Sequence, residues 1–298
     1  MSITLDWLGC ATFRLTIDDL VIFLDAYMDR APAAPPVGLS ATDVTKAGFV
    51  IVGHSHFDHL AGAEVIARNT GARIIASNES CEVMRRCDVP REQLLPSAGG
   101  ERHRLSPDVT VRVFPSLHAC TWCAETAVGE AQTGDLGLTE DERRASMMDR
   151  GLIGRIARTE DERGRQFQQH ARAATGSNRD GGPLVYLIET PQGTIFFQDT
   201  TGCWSGVVRD LRADVAILAL SARPNLDGEP FQGSMAQFVA QEAGWLQPKT
   251  VFFAHHDNWS GMADADALDI SSAREELARA LPHAQLLEPW YLEGTSIL

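Results

Sequence analysis

The sequence predicts an α/β protein in which two β-sheets pack against each other, with helices outside and a helical insertion between the halves. Three observations carry that prediction. Short runs of strand character, apolar or alternating, occur in both halves of the 298-residue chain. Stretches of helical periodicity lie between those runs, the pattern of a layered α/β fold. From residue 119 to residue 182 the strand signals stop.

The elements follow in order. Ile3 to Leu8, Thr12 to Ile17 and Leu20 to Leu24 read as an antiparallel meander. Three prolines and a glycine between Ala31 and Gly38 force a loop soon after Asp25. Phe49 to Val52 is a fully apolar strand, followed by a polar string and a helix over Leu60 to Arg68 that stops near Gly71. Arg73 to Ala76 is a strand, Glu79 to Cys87 a helix, and Val109 to Phe114 a strand leading to His118. In the insertion, Thr139-x-x-Glu142 and Thr159-x-x-Glu162 read as capping boxes, and Met147, Met148, Ile153, Ile156 and Phe167 supply apolar faces. The string Thr-Glu-Asp-Glu-Arg occurs at both, too few copies for a repeat architecture. Strands return at Leu184 to Glu189, Thr194 to Gln198, Val215 to Leu220, Val251 to Ala254 and Gln285 to Leu287, with helices at Met235 to Leu246 and Ser272 to Leu281. The reading is one domain, 1–298, with 119–182 inserted in it.

Composition removes several function classes. With 26 basic and 40 acidic residues the net charge is −14, which repels phosphate backbones, so no nucleic-acid partner is expected. No apolar run approaches the roughly 20 residues of a membrane span. Met1 to Gly9 lacks the basic and apolar regions of a signal peptide, giving the expectation of a cytoplasmic protein. Six cysteines in a chain this long are too sparse for a disulfide scaffold. Cys120-Thr-Trp-Cys123 lacks the second pair of a zinc ribbon, and no chemistry is assigned to it. The partner expected is a small molecule; oligomeric state is left open.

His54-Ser-His56-Phe-Asp58-His59 is the most specific string in the chain. Four of its six positions are metal-ligand types, and it directly follows an apolar strand. Histidines two apart on extended backbone point the same way, so His54 and His56 can reach one ion. Asp58 and His59, at the turn into a helix, can serve a second.

With that string the chain resembles the metallo-β-lactamase superfamily, whose signature is His-x-His-x-Asp-His after a strand. The resemblance implies a four-layer αββα sandwich and three further ligands at strand ends. His118 after Val109 to Phe114, Asp199 after Thr194 to Gln198, and His255 after Val251 to Ala254 match those requirements. His256 adjoins His255, and neighbouring strand residues face opposite ways, so one is a ligand and the other a pocket group. The family pattern His-x-Asp-Asp/Asn fits His255-His256-Asp257-Asn258 and favours His255. Asp25 is expected to support the ligand histidines. Asp6-Trp-Leu-Gly-Cys-Ala-Thr-Phe13 resembles the lactonase-like and phospholipase-D-like branch, whose members commonly carry His where this chain has Cys10. Cys10 reads as a small buried residue or a neighbour of the ligands. Arg223, in the loop after Val215 to Leu220, is either a contact for an anionic substrate group or a structural ion-pair partner.

The resemblance implies a hydrolase with two divalent metal ions, zinc by ligand type, with Mn²⁺ or Fe²⁺ also compatible. A hydroxide bridging the ions is the expected nucleophile, with Asp58 orienting it and accepting its proton. The expected substrate is a small ester, lactone or phosphodiester. The alternatives are a redox-active diiron protein of the same fold and a non-catalytic metal-binding sensor.

Overall fold

The computed structural model describes residues 2–121, 139–142, 145, 159–231, 233–264 and 267–298. Met147, Met148, Ile153 and Ile156 of the expected insertion lie outside the described residues.

The strands are β1 (Ile3–Trp7), β2 (Phe13–Ile17), β3 (Leu20–Leu24), β4 (Phe49–Ile51), β5 (Arg73–Ser77), β6 (Leu94–Ser97), β7 (Arg102–Arg104), β8 (Thr110–Pro115), β9 (Leu184–Thr190), β10 (Gly193–Phe197), β11 (Gly202–Cys203), β12 (Val215–Ala219), β13 (Asn225–Leu226), β14 (Glu229–Pro230), β15 (Thr250–Ala254), β16 (Gln285–Leu287) and β17 (Thr295–Ser296). The helices are α1 (Phe57–Leu60), α2 (Ala63–Thr70), α3 (Asn78–Arg86), α4 (Glu162–Ala173), α5 (Ser205–Val208), α6 (Met235–Leu246) and α7 (Ser271–Ala280). Among the described residues, one seven-stranded sheet runs β17-β1-β2-β3-β4-β5-β6 and the other β16-β15-β12-β10-β9-β8-β7. A small sheet of β11, β13 and β14 lies beyond them.

Strand alternation sorts each sheet into an inner and an outer face. Ile22 and Leu24 of β3 join Tyr186, Ile195, Phe197 and Ile217 in the core between the sheets. Their neighbours Val21 and Phe23 face the other way, onto Ile66 of α2 and Met84 of α3. Phe196 and Leu218 likewise leave the inter-sheet core and meet Phe238, Leu246 and Leu277 on α6 and α7. Each fully buried side chain of this size contributes about 1.5–3 kcal/mol relative to exposure, so three cores fix four layers. The fold is the expected αββα sandwich.

Departures from the sequence reading have local causes. The helix expected over Leu60 to Arg68 is split into α1 and α2, because Gly62 takes a left-handed conformation between them. It ends as expected at left-handed Gly71. The Thr139 capping box forms, with Glu142 N–H donating to Thr139 Oγ1 at 3.3 Å and Thr139 N–H to Glu142 Oε2 at 2.8 Å. The Thr159 box does not head α4. Asp161 caps it instead, its carboxylate accepting from Gly164 N–H at 2.7 Å, because Asp is the stronger cap and lies nearer the helix. Among the described residues no helix is long and apolar enough to cross a membrane.

Candidate metal centre

Strand direction brings the predicted residues to one edge of the sandwich. β3 and β4 are parallel, as are β10, β12 and β15. β8 and β10 are both antiparallel to β9 and therefore run the same way. Asp25, His54, His118, Asp199 and His255 follow the C-terminal ends of β3, β4, β8, β10 and β15 within three residues. Tyr186 on β9 donates its hydroxyl to Val52 O at 2.7 Å, tying the second sheet to the chain just before His54.

The first cluster is all nitrogen. The rings of His54, His56 and His118 stand in mutual contact, each pair of centroids 4.7 Å apart. His54 Nε2 lies 3.0 Å from His56 Nδ1. Extended backbone at His56, just ahead of α1, gives the two-residue spacing that turns both rings the same way. The loop of His118 is braced by Asn225, whose Nδ2 donates to His118 O at 2.8 Å.

The second cluster joins Asp58, His59 and His255. Asp58 Oδ2 is 3.5 Å from both His59 Nε2 and His255 Nε2. The single turn of α1 presents Asp58 and His59 to this side. His59 Nδ1 lies 2.8 Å from Asp25 Oδ2, while Asp25 Oδ1 accepts from Gly53 N–H at 2.9 Å. Cys10, read from sequence as a small buried residue or a neighbour, also stands here, its Sγ within 4.8 Å of a donor atom of each of Asp58, His59 and His255.

Asp199 touches both clusters. Its Oδ2 is 2.7 Å from His54 Nδ1 and 3.3 Å from His59 Nδ1. Gly53 makes this approach possible, since a Cβ there would overlap the Asp199 carboxylate. All seven residues named from the sequence thus converge, and His256 does not. Its ring stacks on Trp7, centroids 4.9 Å apart, and lines a separate cavity of about 430 Å³ with Leu268 and Trp290. Arg223 is turned inward, with Nη2 donating to Phe231 O at 2.7 Å and its carbonyl accepting from Cys120 N–H.

Burial and neighbouring charge set the protonation of several of the donors. Burial lowers the pKa of His54, His56 and His59 well below the usual imidazole value, with neighbouring histidines adding to the effect, so the rings are neutral at pH 7. Burial works to raise Asp58, but His59 and His255 outweigh it and keep it an anion. Burial raises both Asp25 and Asp199; at Asp25 the neighbouring Asp199 and Asp58 carboxylates add to the rise and the Gly53 N–H bond opposes it, and at Asp199 the facing His59, His118 and His255 oppose it. Asp199 Oδ1 and His255 Nδ1 are buried without a hydrogen-bond partner among the described residues. Orphaned donor atoms in a ring of neutral imidazoles and carboxylates fit divalent transition metals.

Residues 21–147 match the β-lactamase superfamily domain. Over that stretch the chain is similar to the metallo-β-lactamase superfamily. That matched stretch contains the first string and His118; Asp199 and His255 lie beyond it, at the corresponding edge of the second sheet. A UPF0173 metal-dependent hydrolase of Pyrobaculum islandicum is 30% identical over 142 residues, 45% of this chain. The chain spans 62% of that relative's length and 49% of the one from Pyrobaculum arsenaticum. Among solved structures, the metallo hydrolase Igni18 of Ignicoccus hospitalis superposes with a TM-score of 0.62 at 14% identity, covering 99% of this chain and 98% of its own. CmlA, a diiron β-hydroxylase of Streptomyces venezuelae, gives 0.61 at 13% identity, covering 99% and 54%. These structural likenesses show the same fold over the whole chain.

Sequence reasoning missed the residues that hold the second cluster from behind. Asp257 Oδ1 accepts from Cys10 N–H at 2.9 Å, and its Oδ2 is held by Arg30 at 2.7 Å and by the Tyr291 hydroxyl at 2.6 Å. Asp257 stood in the string after His255, but Arg30 and Tyr291 carry no sequence signal. An aromatic wall was missed too. Trp259 packs against His255, and with Tyr27 and Phe57 it receives Phe167 and His170 of α4.

Proposed function

We propose that this chain is a metal-dependent hydrolase with a two-ion centre. His54, His56 and His118 hold one ion, Asp58, His59 and His255 the other, and Asp199 serves both. The observation that carries this reading is the position of Asp199 Oδ2, in contact with a histidine of each cluster. When bound, such ions would act as Lewis acids and lower the pKa of water from 15.7 to about 7. Zinc suits the donor set best.

The protein's own contribution is position and charge. Asp58 is an anion at the edge of the second cluster, placed to accept a hydrogen bond from the nucleophile and so to aim it. Its low pKa suits it to pass the proton on rather than keep it. Asp25 fixes the ring of His59. The substrate is a small carboxylic ester, lactone or phosphodiester.

Within the insertion, the described residues 159–182 lie against this centre. Ser55, inside the ligand string, donates to Asp180 O at 2.8 Å through its hydroxyl and at 2.9 Å through its N–H. Phe167 packs its ring on Phe57 and Trp259, and His170 Nε2 lies 3.0 Å from the Tyr27 hydroxyl. A segment anchored in this way to the ligand string supplies one wall of the substrate's path.

The test is a hydrolysis screen of the metal-loaded chain over lactones, phosphodiesters and carboxylesters, repeated after chelation. Turnover of one class that chelation abolishes supports the reading. A chain that holds two ions and cleaves none of the three classes overturns it, and dioxygen consumption by the iron-loaded form would favour the redox alternative.

A further inference from the structure

The geometry points to Cys10 as a thiolate ligand of the second metal position, an inference that rests on the two-ion reading above. Sγ lies within 4.8 Å of donor atoms of Asp58, His59 and His255, and these four form one buried group. His255, its side chain only 8% exposed, meets Asp58 through Nε2 at 3.5 Å, and Asp199, 1% exposed, touches His59 and keeps Oδ1 buried without a hydrogen-bond partner among the described residues. Donors of three chemical kinds, thiol, carboxylate and imidazole, therefore converge on one point.

The backbone of Cys10 is built to aim it. Its φ of 47° lies in the left-handed region, which a non-glycine residue occupies only where its surroundings over-determine it. Three hydrogen bonds do so. Cys10 N–H donates to Asp257 Oδ1 at 2.9 Å, and Cys10 O accepts from Trp7 Nε1 at 3.1 Å and from His255 N–H at 2.8 Å. The last bond ties Cys10 directly to the residue carrying another donor of the same cluster, which is itself left-handed with a φ of 62°. Asp257 is in turn locked by Arg30, and Gly9 must be glycine because a Cβ there would overlap the Arg30 guanidinium. A cysteine that only filled space would need none of this.

At present Sγ faces Asp58 O at 3.5 Å, a weak thiol hydrogen bond. On coordination the S–H bond breaks, sulfur binds the metal through the electron pair, and the proton goes to solvent. The second position then offers sulfur, oxygen and nitrogen, which favours Zn²⁺ or Co²⁺ over Mn²⁺.

The experiment loads the full metal-free chain with Co²⁺ and records its absorption. A thiolate ligand gives an intense sulfur-to-cobalt charge-transfer band in the near ultraviolet, above the visible ligand-field bands. The band is expected in the native chain, lost in Cys10→Ser while visible bands persist, and kept in Cys120→Ser. Cys10→Ala serves should the serine variant not fold. Two bound cobalt ions without the band, or a band that survives Cys10→Ser, overturns the assignment alone. Failure of the native chain to take up cobalt overturns the two-ion reading and this inference with it.

Discussion

The two donor clusters reach similar compactness by opposite means. His54, His56 and His118 are imidazole rings at ordinary strand and loop ends, His54 and His56 held neutral by burial, and they are braced by amide hydrogen bonds such as Asn225 to His118 O. His59 and His255 flank the Asp58 carboxylate, and left-handed backbone at Asp25, Cys10 and His255 and the buried Arg30–Asp257 ion pair support them. Regular geometry and neutral donors cost the fold little. Charged donors on strained backbone must be held by charge elsewhere, which makes the second cluster the more demanding to build and the more sensitive to loss of a support.

The largest expected effect is at the second cluster's own anion. Asp58→Ala removes the carboxylate that faces His59 and His255, and turnover should fall on the order of 10²–10⁴-fold while the fold survives. Near-normal kcat would take Asp58 out of the mechanism and remove the asymmetry between the clusters.

Next is the difference in bracing. Asp257→Ala leaves Arg30 buried without its counter-charge, at about 3–5 kcal/mol of stability. Asn225→Ala removes a neutral hydrogen bond behind the first cluster, at about 1 kcal/mol. Chemical denaturation of both variants measures the contrast, and equal losses would mean that the ion pair carries no special burden.

Smaller again is the effect of Asp25→Asn. Asparagine can keep an oxygen on Gly53 N–H but presents its NH₂ to His59, so affinity at the second position should drop by about 10–100-fold with the first unchanged. A chelator competition titration reads the two positions separately; equal weakening of both would make Asp25 a support of the whole centre.

The same contrast explains what was legible in the sequence. The first string could be read because periodicity and spacing are local: two histidines two apart after an apolar strand, then an Asp and a His on one helical turn. The strands and both long C-terminal helices could be read because each buries whole faces. Asp199 and His255 were found through their strand ends, once the family pattern was in hand. Cys10, Arg30 and Tyr291 were not assigned because their meaning depends on contacts spanning more than 200 residues, such as Cys10 to Asp257. β6, β7 and the small third sheet were missed because they are too short to alternate.

The smallest expected effect tests the support beneath Asp199, which serves both clusters. Gln198, its neighbour, donates from Nε2 to Gly202 O at 3.0 Å and to Glu242 Oε1 at 2.8 Å. Burial raises the Glu242 pKa to about 8, against the lowering effect of its bonds with Gln198 and Cys203. Around neutrality the folded chain therefore keeps a proton on Glu242 that the unfolded chain, with an ordinary value of 4.5, has released. Unfolding then releases a proton, so rising pH favours the unfolded state. The stability contribution is fully present below pH 4.5 and is lost as pH rises through about 8. Glu242→Gln keeps the shape and an oxygen acceptor for Gln198 but cannot ionise. Its melting temperature should lack the decline that Glu242 imposes on the native chain between those limits, with metal content unchanged. If native and variant chains show parallel pH profiles, Glu242 is already ionised in the fold, and Asp199 rests on a charged support like that of the second cluster.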